Sequence, residues 1–182
     1  MSKNILILTG SPRQGGNSDI LADAFTKGAE KSGNAVRRFE TARKSIKGCM
    51  ACNSCFSKGK ACVYDDDFDE LAPMLEWADL LVFATPLYWF TFPVQLKAAI
   101  DKLYSFLIAE KEWKIKKGIL LVCGADENLD GYAGIVKSYE LMLDCLKWGD
   151  AGQIIAVNVT EKGDVLKTDF PSQAEQLGAG IQ

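Results

Sequence analysis

An apolar stretch near the start of the chain leads directly into a loop of small and hydroxyl-bearing residues, and a helical pattern follows at once. Residues 5–9 have the composition of a buried strand, and the loop covers residues 10–18. Apolar residues then recur at helical spacing over residues 20–29. A strand, loop and helix in this order direct free backbone N–H groups and the positive end of a helix dipole to one point. This junction suits a phosphate group.

Further strand and helix patterns alternate along the chain. The strand patterns cover residues 35–39, 80–84, 118–123 and 154–159. The helical patterns cover residues 67–77, 94–108 and 132–148, with a short helix from about residue 172. The alternation predicts an α/β, doubly wound parallel sheet in one domain spanning residues 1–182. Ligands of such sheets lie beyond the C-terminal strand ends where strand order reverses, so the loops after the first, third and fourth strands are the candidate site.

Composition narrows the function classes. The formal net charge is −3, which gives no electrostatic reason to expect a nucleic acid or an anionic membrane as partner. Histidine is absent, which excludes Ser-His-Asp and Cys-His catalysis and any His-ligated metal. No apolar run reaches membrane-spanning length, and the six cysteines suggest a reducing compartment. A cytoplasmic protein is therefore expected.

The first loop offers side chains that suit a phosphate. It lacks the Gly-Lys-Ser/Thr ending of a Walker loop and the G-x-G-x-x-G spacing of a dinucleotide fold, so a plain turn is the alternative. Hydroxyl, amide and guanidinium groups nevertheless surround the same point as the free N–H groups. The candidate phosphate ligands are Ser11, Arg13, Asn17 and Ser18.

The loop after the third strand carries four aromatic residues in five positions, at residues 88–92, and prolines flank it. A flat, electron-rich ring could stack on such a loop. The alternative is that these aromatics only cover the sheet edge or an oligomer interface. The sequence does not separate these two roles.

Taken together, these motifs resemble the flavodoxin-like NAD(P)H-dependent FMN reductases, in the branch that includes the iron–sulfur flavoproteins. The motifs are G-S-P-R at residues 10–13 with N-S at 17–18, and P-L-Y-W-F at 86–90 with P-V-Q-L-K at 93–97. Weaker similarity continues through C-G-A-D-E at residues 123–127 and E-K-G-D at 161–164. The resemblance implies a five-stranded parallel sheet in the order 2-1-3-4-5 and non-covalently bound FMN.

The same resemblance implies the site and the reaction. The FMN phosphate would lie on the four candidate ligands of the first loop, and the ring would lie against Pro86, Leu87, Tyr88 and Trp89, with Gly124 on its other flank. NAD(P)H would deliver hydride, and a quinone, nitroaromatic, flavin, metal ion or protein would accept the electrons. No catalytic side chain is assigned, because FMN supplies the chemistry. Family members are commonly homodimers or homotetramers whose flavin pocket a neighbouring subunit completes.

Two other classes remain open at this stage. One is a non-enzymatic electron carrier like flavodoxin, although flavodoxins tend to be strongly acidic with a threonine-rich phosphate loop. The other is a redox- or metal-sensing module in which flavin turnover is incidental.

A cysteine-rich insertion at about residues 46–64 gives the second sharp pattern. Cys49, Cys52, Cys55 and Cys62 form C-x2-C-x2-C-x6-C, and a compact cysteine motif also occurs in this position in the iron–sulfur flavoproteins. Three thiols at steps of three, closed by a fourth, can hold a [4Fe–4S] cluster. Zinc and empty or oxidised thiols are the alternatives. The loop follows the second strand at its C-terminal end and is therefore expected on the same side of the sheet as the flavin.

Overall fold

The fold is described by a computed structural model of residues 2–112 and 114–182. The strands are β1 (Asn4–Thr9), β2 (Ala35–Glu40), β3 (Leu80–Pro86), β4 (Lys117–Cys123) and β5 (Gly149–Ala156). The helices are α1 (Asn17–Lys31), α2 (Phe68–Trp77), α3 (Val94–Asp101), α4 (Tyr104–Ile108), α5 (Ala133–Leu146) and α6 (Phe170–Ala179). The strands form one parallel sheet in the order β2-β1-β3-β4-β5, which confirms the expected topology.

Helices cover both faces of this sheet, which explains why the central strands are continuously apolar. Along β1, Ile5 and Ile7 pack in the core layer shared with α1 and α6, whereas Leu6 and Leu8 pack in the layer shared with α2, α3 and α5. Successive side chains of a strand point to opposite faces, so each face needs its own apolar set. No helix in the described ranges has the length and apolarity needed to cross a membrane.

The fifth strand starts and ends earlier than its apolar residues indicate. The prediction was residues 154–159, but β5 begins at Gly149 and ends at Ala156. Its first half is polar and pairs only with β4 at the sheet edge, where a strand does not need two apolar faces. Beyond Ala156 the chain leaves the sheet and crosses the loop after β4, where the Val159 N–H donates to the Gly124 carbonyl at 2.9 Å.

The helix predicted over residues 94–108 is interrupted. Lys102 and Leu103 separate α3 from α4, and their N–H groups donate to carbonyls three residues earlier rather than four. Lys102 is only 3% exposed, and its ammonium donates to the carboxylate of Asp66, which is 2% exposed. A lysine within an apolar helical pattern is therefore half of a buried ion pair.

This ion pair connects the cysteine-rich insertion to the core. The second partner of the Asp66 carboxylate is the Lys47 N–H, at 2.9 Å, and the Phe68 N–H donates to its other oxygen at 3.0 Å. Burial alone would raise the pKa of Asp66, but the hydrogen bonds from Lys102 and from the two N–H groups hold that pKa below its usual value. One carboxylate thus fixes both the start of the insertion and the start of α2.

We expect Asp66→Asn to lower the free energy of unfolding by about 3 kcal/mol at neutral pH, because the Lys102 ammonium stays buried without its counter-charge. The difference from the wild type should shrink as the pH falls below 3.8, the ordinary value for this carboxyl group. The sign follows from the lowered pKa of Asp66: its contribution is complete above the unfolded-state pKa and is lost as the wild-type carboxylate protonates. Urea titrations across a pH series measure both effects.

The matched control is Asp65→Asn, because the Asp65 side chain is 96% exposed. This variant should change the stability little at any pH. Equal losses in the two variants would contradict the special role of Asp66.

Candidate functional site

An open cleft of about 220 Å³ lies at the C-terminal ends of β1, β3 and β4, where the strand order reverses. It brings together the two loops that the sequence singled out. Its lining consists of Ser11, Arg13, Gly16, Asn17, Ser18, Pro86, Leu87, Tyr88, Cys123, Gly124, Ala125, Val159, Thr160 and Lys162. All of the predicted flavin-site residues except Trp89 line this cleft.

The loop after β1 is held by its own side chains. The Ser11 hydroxyl accepts the Arg13 N–H at 3.1 Å and donates to the Arg13 carbonyl at 3.3 Å. The Asp19 carboxylate accepts the Gly15 N–H at 2.8 Å, which fixes the turn where Gly15 has φ +64°. Burial raises the pKa of Asp19, against the lowering by that hydrogen bond and by the Arg38 charge. The turn is therefore ordered before α1 begins.

Asn17 has a different environment from the other predicted phosphate ligands. Its side-chain N–H donates to the Glu161 carbonyl at 2.9 Å, and its side-chain oxygen accepts the N–H groups of Gly163 at 3.0 Å and Val165 at 3.3 Å. The amide thus joins the first residue of α1 to the loop after β5. The Asn17 backbone N–H takes no part in these contacts.

The start of α1 offers unused donors and positive charge. Among the described residues, no hydrogen bond uses the backbone N–H of Ser11, Asn17 or Ser18. Within the same ranges neither Arg13 nor Lys162 forms an ion pair. Free N–H groups and cations around one helix N-terminus are the features that bind a phosphate.

The loop after β5 was missing from the sequence prediction. Val159, Thr160 and Lys162 line the cleft, although only the loops after the first, third and fourth strands were expected there. The one sequence signal was the weak E-K-G-D similarity at residues 161–164.

The wall for a flat ring is formed where β3 ends. Pro86 is the last residue of β3, and the Leu87 N–H donates to the Cys123 carbonyl at 2.8 Å, which keeps the loop against β4. Leu87 and Tyr88 continue this wall, and Gly124 and Ala125 face the same cleft from the end of β4. The cleft therefore has apolar surface on two sides and polar groups at the phosphate end.

Trp89 lies at the outer rim. Tyr88 and Thr91 exchange two backbone hydrogen bonds at 3.1 and 3.0 Å, and the two residues between them have positive φ, 45° for Trp89 and 65° for Phe90. Glycine or asparagine usually occupies such positions, so two aromatic residues there place the backbone of this turn under strain. The Trp89 side chain is 92% exposed beside the cleft.

This aromatic turn rests on the start of α5. A Cβ added to Gly134 would lie 2.6 Å from the Phe90 carbonyl oxygen, so the two backbones approach as closely as only glycine allows. The turn that carries Trp89 and Phe90 is thus positioned by backbone contact.

The buried titratable groups near the cleft are poor acids and bases. Burial raises the pKa of the Cys123 thiol to about 12 and that of the Tyr132 hydroxyl to about 12. Both groups therefore stay protonated and neutral at physiological pH, and neither is a nucleophile or general base there.

The four cysteines of the insertion border one small cavity of about 20 Å³ beside α4. Burial raises the pKa of the Cys55 thiol, and the thiols of Cys52, Cys49 and Cys62 raise it further, which places all four in one neighbourhood. However, in residues 2–112 and 114–182 no three metal-binding side chains are grouped closely enough to hold an ion. In this arrangement the loop does not fit a [4Fe–4S] cluster.

The cysteine loop and the aromatic loop are neighbours. Gly48, just before Cys49, borders a shared hollow with Tyr88, Trp89 and Val94. The insertion thus lies at the C-terminal ends of the strands, as the cleft does, and its position after β2 predicts this.

A larger cavity of about 520 Å³ lies at the opposite end of the strands from the cleft. It is lined by Lys3, Lys114, Lys116, Lys117 and the last three residues of the chain, among others. It contains neither of the two loop motifs and lies at the N-terminal strand ends, where such sheets do not bind ligands.

Comparison with known proteins identifies the family and the fold. The family model described as NADPH-dependent FMN reductase matches residues 3–154. An iron–sulfur flavoprotein of Archaeoglobus fulgidus is 36% identical over 99 residues, which are 54% of this chain and 44% of that protein. An iron–sulfur flavoprotein of Methanocaldococcus jannaschii is 33% identical over 122 residues, which are 66% of this chain and 61% of that protein. The matches thus span less than two thirds of these relatives.

A solved structure shows the same fold over the whole chain. The NAD(P)H:quinone oxidoreductase of Methanothermobacter marburgensis superposes with a TM-score of 0.72 over 100% of this chain and 97% of that one, at 21% identity.

We expect Gly134→Ala to displace the aromatic turn, because the new methyl group would meet the Phe90 carbonyl. The free energy of unfolding should fall by about 1–3 kcal/mol, the usual range for overpacking. Gly48→Ala is the control, because nothing lies within 4 Å of a Cβ at Gly48. Chemical denaturation compares the variants, and a Gly134→Ala protein as stable as the wild type would show that α5 does not support the turn.

Proposed function

This chain belongs to the NADPH-dependent FMN reductase family, and on that basis we propose that it is an FMN-dependent oxidoreductase that passes electrons from NAD(P)H to a small acceptor. The supporting observation is one cleft in which free N–H groups and unpaired cations at the start of α1 meet an apolar wall at the end of β3. A ligand with a phosphate at one end and a flat ring at the other matches both halves.

The phosphate end of the cofactor would lie on the loop after β1. Arg13 supplies a guanidinium, and Ser11, Asn17 and Ser18 contribute through their backbone N–H groups. The side chains of these three residues already form hydrogen bonds with the Arg13 backbone, the loop after β5 and Cys123, respectively. No second phosphate fingerprint occurs in the sequence, which favours FMN over FAD.

The ring end would lie between Pro86, Leu87 and Tyr88 on one side and Gly124 on the other. When bound, FMN supplies hydride acceptance from NAD(P)H and electron donation to the acceptor. The chain contributes a flat apolar wall that orients the ring and excludes water. Cys123 and Tyr132 add neutral, protonated groups near the end of β4.

Access to the ring would be controlled by the aromatic turn. Tyr88 lines the cleft, whereas Trp89 and Phe90 stand at its rim with large exposed apolar surfaces. Exposed aromatics of this kind also suit a subunit interface, and we propose a homodimer or homotetramer in which a second copy covers them. We also propose a cytoplasmic location, because six cysteines in a chain of this kind suit a reducing compartment.

An NAD(P)H-dependent enzyme is favoured over a flavodoxin-like carrier by the phosphate loop. A carrier exchanges electrons with partner proteins and needs no hydride donor. Here the net charge is only −3, and Ser-Pro-Arg replaces the threonine-rich loop typical of flavodoxins. A quinone, nitroaromatic, free flavin or metal ion is the proposed acceptor class.

For the cysteine-rich insertion we make a separate proposal. The names of the two archaeal relatives support a [4Fe–4S] cluster, whereas the arrangement of thiols described above does not hold a metal. We propose that the loop binds iron and sulfide only after rearranging. Positive φ values at Ala51, Asn53 and Phe56 mark where the backbone is already strained.

We expect the purified protein to bind FMN in preference to FAD, and stoichiometric NADH or NADPH to bleach the bound flavin under anaerobic conditions. Arg13→Gln should raise the Kd for FMN by roughly ten- to a hundredfold, because a hydrogen bond to a charged group contributes about 1.5–3 kcal/mol. Flavin fluorescence and absorbance measure binding and reduction.

Arg43→Gln is the matched control, since Arg43 pairs with Glu40 away from the cleft. Flavin that stays oxidised with both nucleotides would favour the carrier. An unchanged Kd in Arg13→Gln would remove Arg13 from the site.

For the insertion, anaerobic reconstitution with iron and sulfide should load about four irons and four sulfides per chain. Cys52→Ser should abolish the loading, whereas Cys145→Ser should not, because Cys145 is exposed on α5. Iron and sulfide analysis with electron paramagnetic resonance measures the outcome. Zinc retained through purification without iron uptake would contradict the cluster and make the loop a structural zinc site.

A further inference from the structure

Lys162 is a cation over the phosphate end of the cleft that comes from the far end of the sequence. Its ammonium nitrogen lies 3.3 Å, and its Cε 3.4 Å, from the point that a Cβ on Gly15 would occupy. Lys162 also lines the cleft together with Ser11 and Arg13. The absence of a side chain at Gly15 therefore leaves the space in which the lysine lies.

The position of Lys162 is fixed through its neighbours. The Asn17 side chain holds the carbonyl of Glu161 and the N–H groups of Gly163 and Val165, which lie on both sides of Lys162 in the sequence. The Asp164 carboxylate adds hydrogen bonds from the N–H groups of Thr160, at 3.3 Å, and Glu161, at 2.7 Å. A loop with this many internal hydrogen bonds directs one flexible side chain toward α1.

The Lys162 ammonium is not neutralised by a neighbouring carboxylate in the described part of the chain. Within the described part of the chain Lys162 forms no ion pair, whereas Lys167, in the turn that follows, is paired with Asp164. The nearest carboxylate of the first loop, Asp19, is engaged with the Gly15 N–H, and the charges acting on it are those of Arg38, Asp23 and Glu40. Lys162 is thus an unneutralised cation beside free N–H groups.

We propose that Lys162 binds the terminal phosphate of FMN together with Arg13, and that Asn17 is the positioning residue that holds Lys162 there. This inference rests on the proposed function, because it assigns a further ligand to the same phosphate. A dianionic phosphate accepts more than one charge-assisted hydrogen bond, and the loop after β1 supplies only Arg13 as a cation. The loop after β5 completes the charge balance.

The test compares FMN with riboflavin, which has the same ring and lacks the phosphate. In Lys162→Met the Kd for FMN should rise about tenfold, which corresponds to about 1.4 kcal/mol, while the Kd for riboflavin stays unchanged. The FMN affinity of this variant should also depend less on salt, because one cation is missing from the site. Lys162→Arg should retain most of the FMN affinity.

Lys114→Met is the control for net charge, because Lys114 lines the cavity at the opposite end of the strands from the cleft. It should leave both dissociation constants at the wild-type values. Thermal melting of the flavin-free proteins shows that each variant is folded.

The role of Asn17 is tested with Asn17→Ala alone and combined with Lys162→Met. If Asn17 acts by positioning Lys162, its effect on the FMN Kd should be much smaller in the Lys162→Met background than in the wild type. Additive effects of the two changes would overturn the positioning role.

The two proposals fail in different ways. A wild-type protein that binds FMN no better than riboflavin would overturn the phosphate site itself. A wild type that prefers FMN, with the same preference in Lys162→Met, would overturn only the inference about Lys162. Equal loss of FMN and riboflavin binding in Lys162→Met would likewise overturn it, because the lysine would then act on the fold and not on the phosphate.

Discussion

Helices on both faces of a parallel sheet decide where this chain can carry chemistry. The residues of β1, β3 and β4 are almost entirely buried and apolar, so a polar group there would lose water without gaining a partner. Donors, cations and exposed rings are therefore confined to the loops at the strand ends. The strand order reverses beside β1, which opens a gap between the loops after β1 and β3, and the cleft occupies that gap.

The parts of the fold that could be predicted from sequence are those that local pattern controls. A strand covered on both faces must be apolar throughout, and β3 and β4 show this signature plainly. The edge strand β5 pairs only with β4, so its residues need not all be apolar. Its polar start at Gly149 therefore could not be recognised as a strand from the sequence. The break after α3 was equally hidden, because Lys102 looks like a surface residue until Asp66 is placed beside it in space.

The same distinction applies to the cleft. Local motifs identified the loop after β1 and the wall at Pro86 and Leu87, because in both cases the functional groups are neighbours in sequence. The partners of the Asn17 side chain lie 144 to 148 residues away, and no spacing rule connects residues so far apart. An asparagine at the start of a helix can bind a ligand or can hold another loop in place by hydrogen bonds. Only the tertiary contacts distinguish these two roles.

The hydrogen bonds between the Asn17 side chain and residues 161–165 join two segments that are made at different times during synthesis. Synthesis proceeds from the N-terminus, and the first β–α unit can begin to fold while the rest of the chain is still being made. Residues 161–165, which the Asn17 side chain holds, follow it by 144 to 148 residues, so during synthesis the first loop is made long before these contacts can form. In a nascent or truncated chain without this segment, the Asn17 side chain at the end of the first loop lacks these three hydrogen bonds. The loop proposed to hold a phosphate therefore reaches its final conformation only after residues 161–165 have been made.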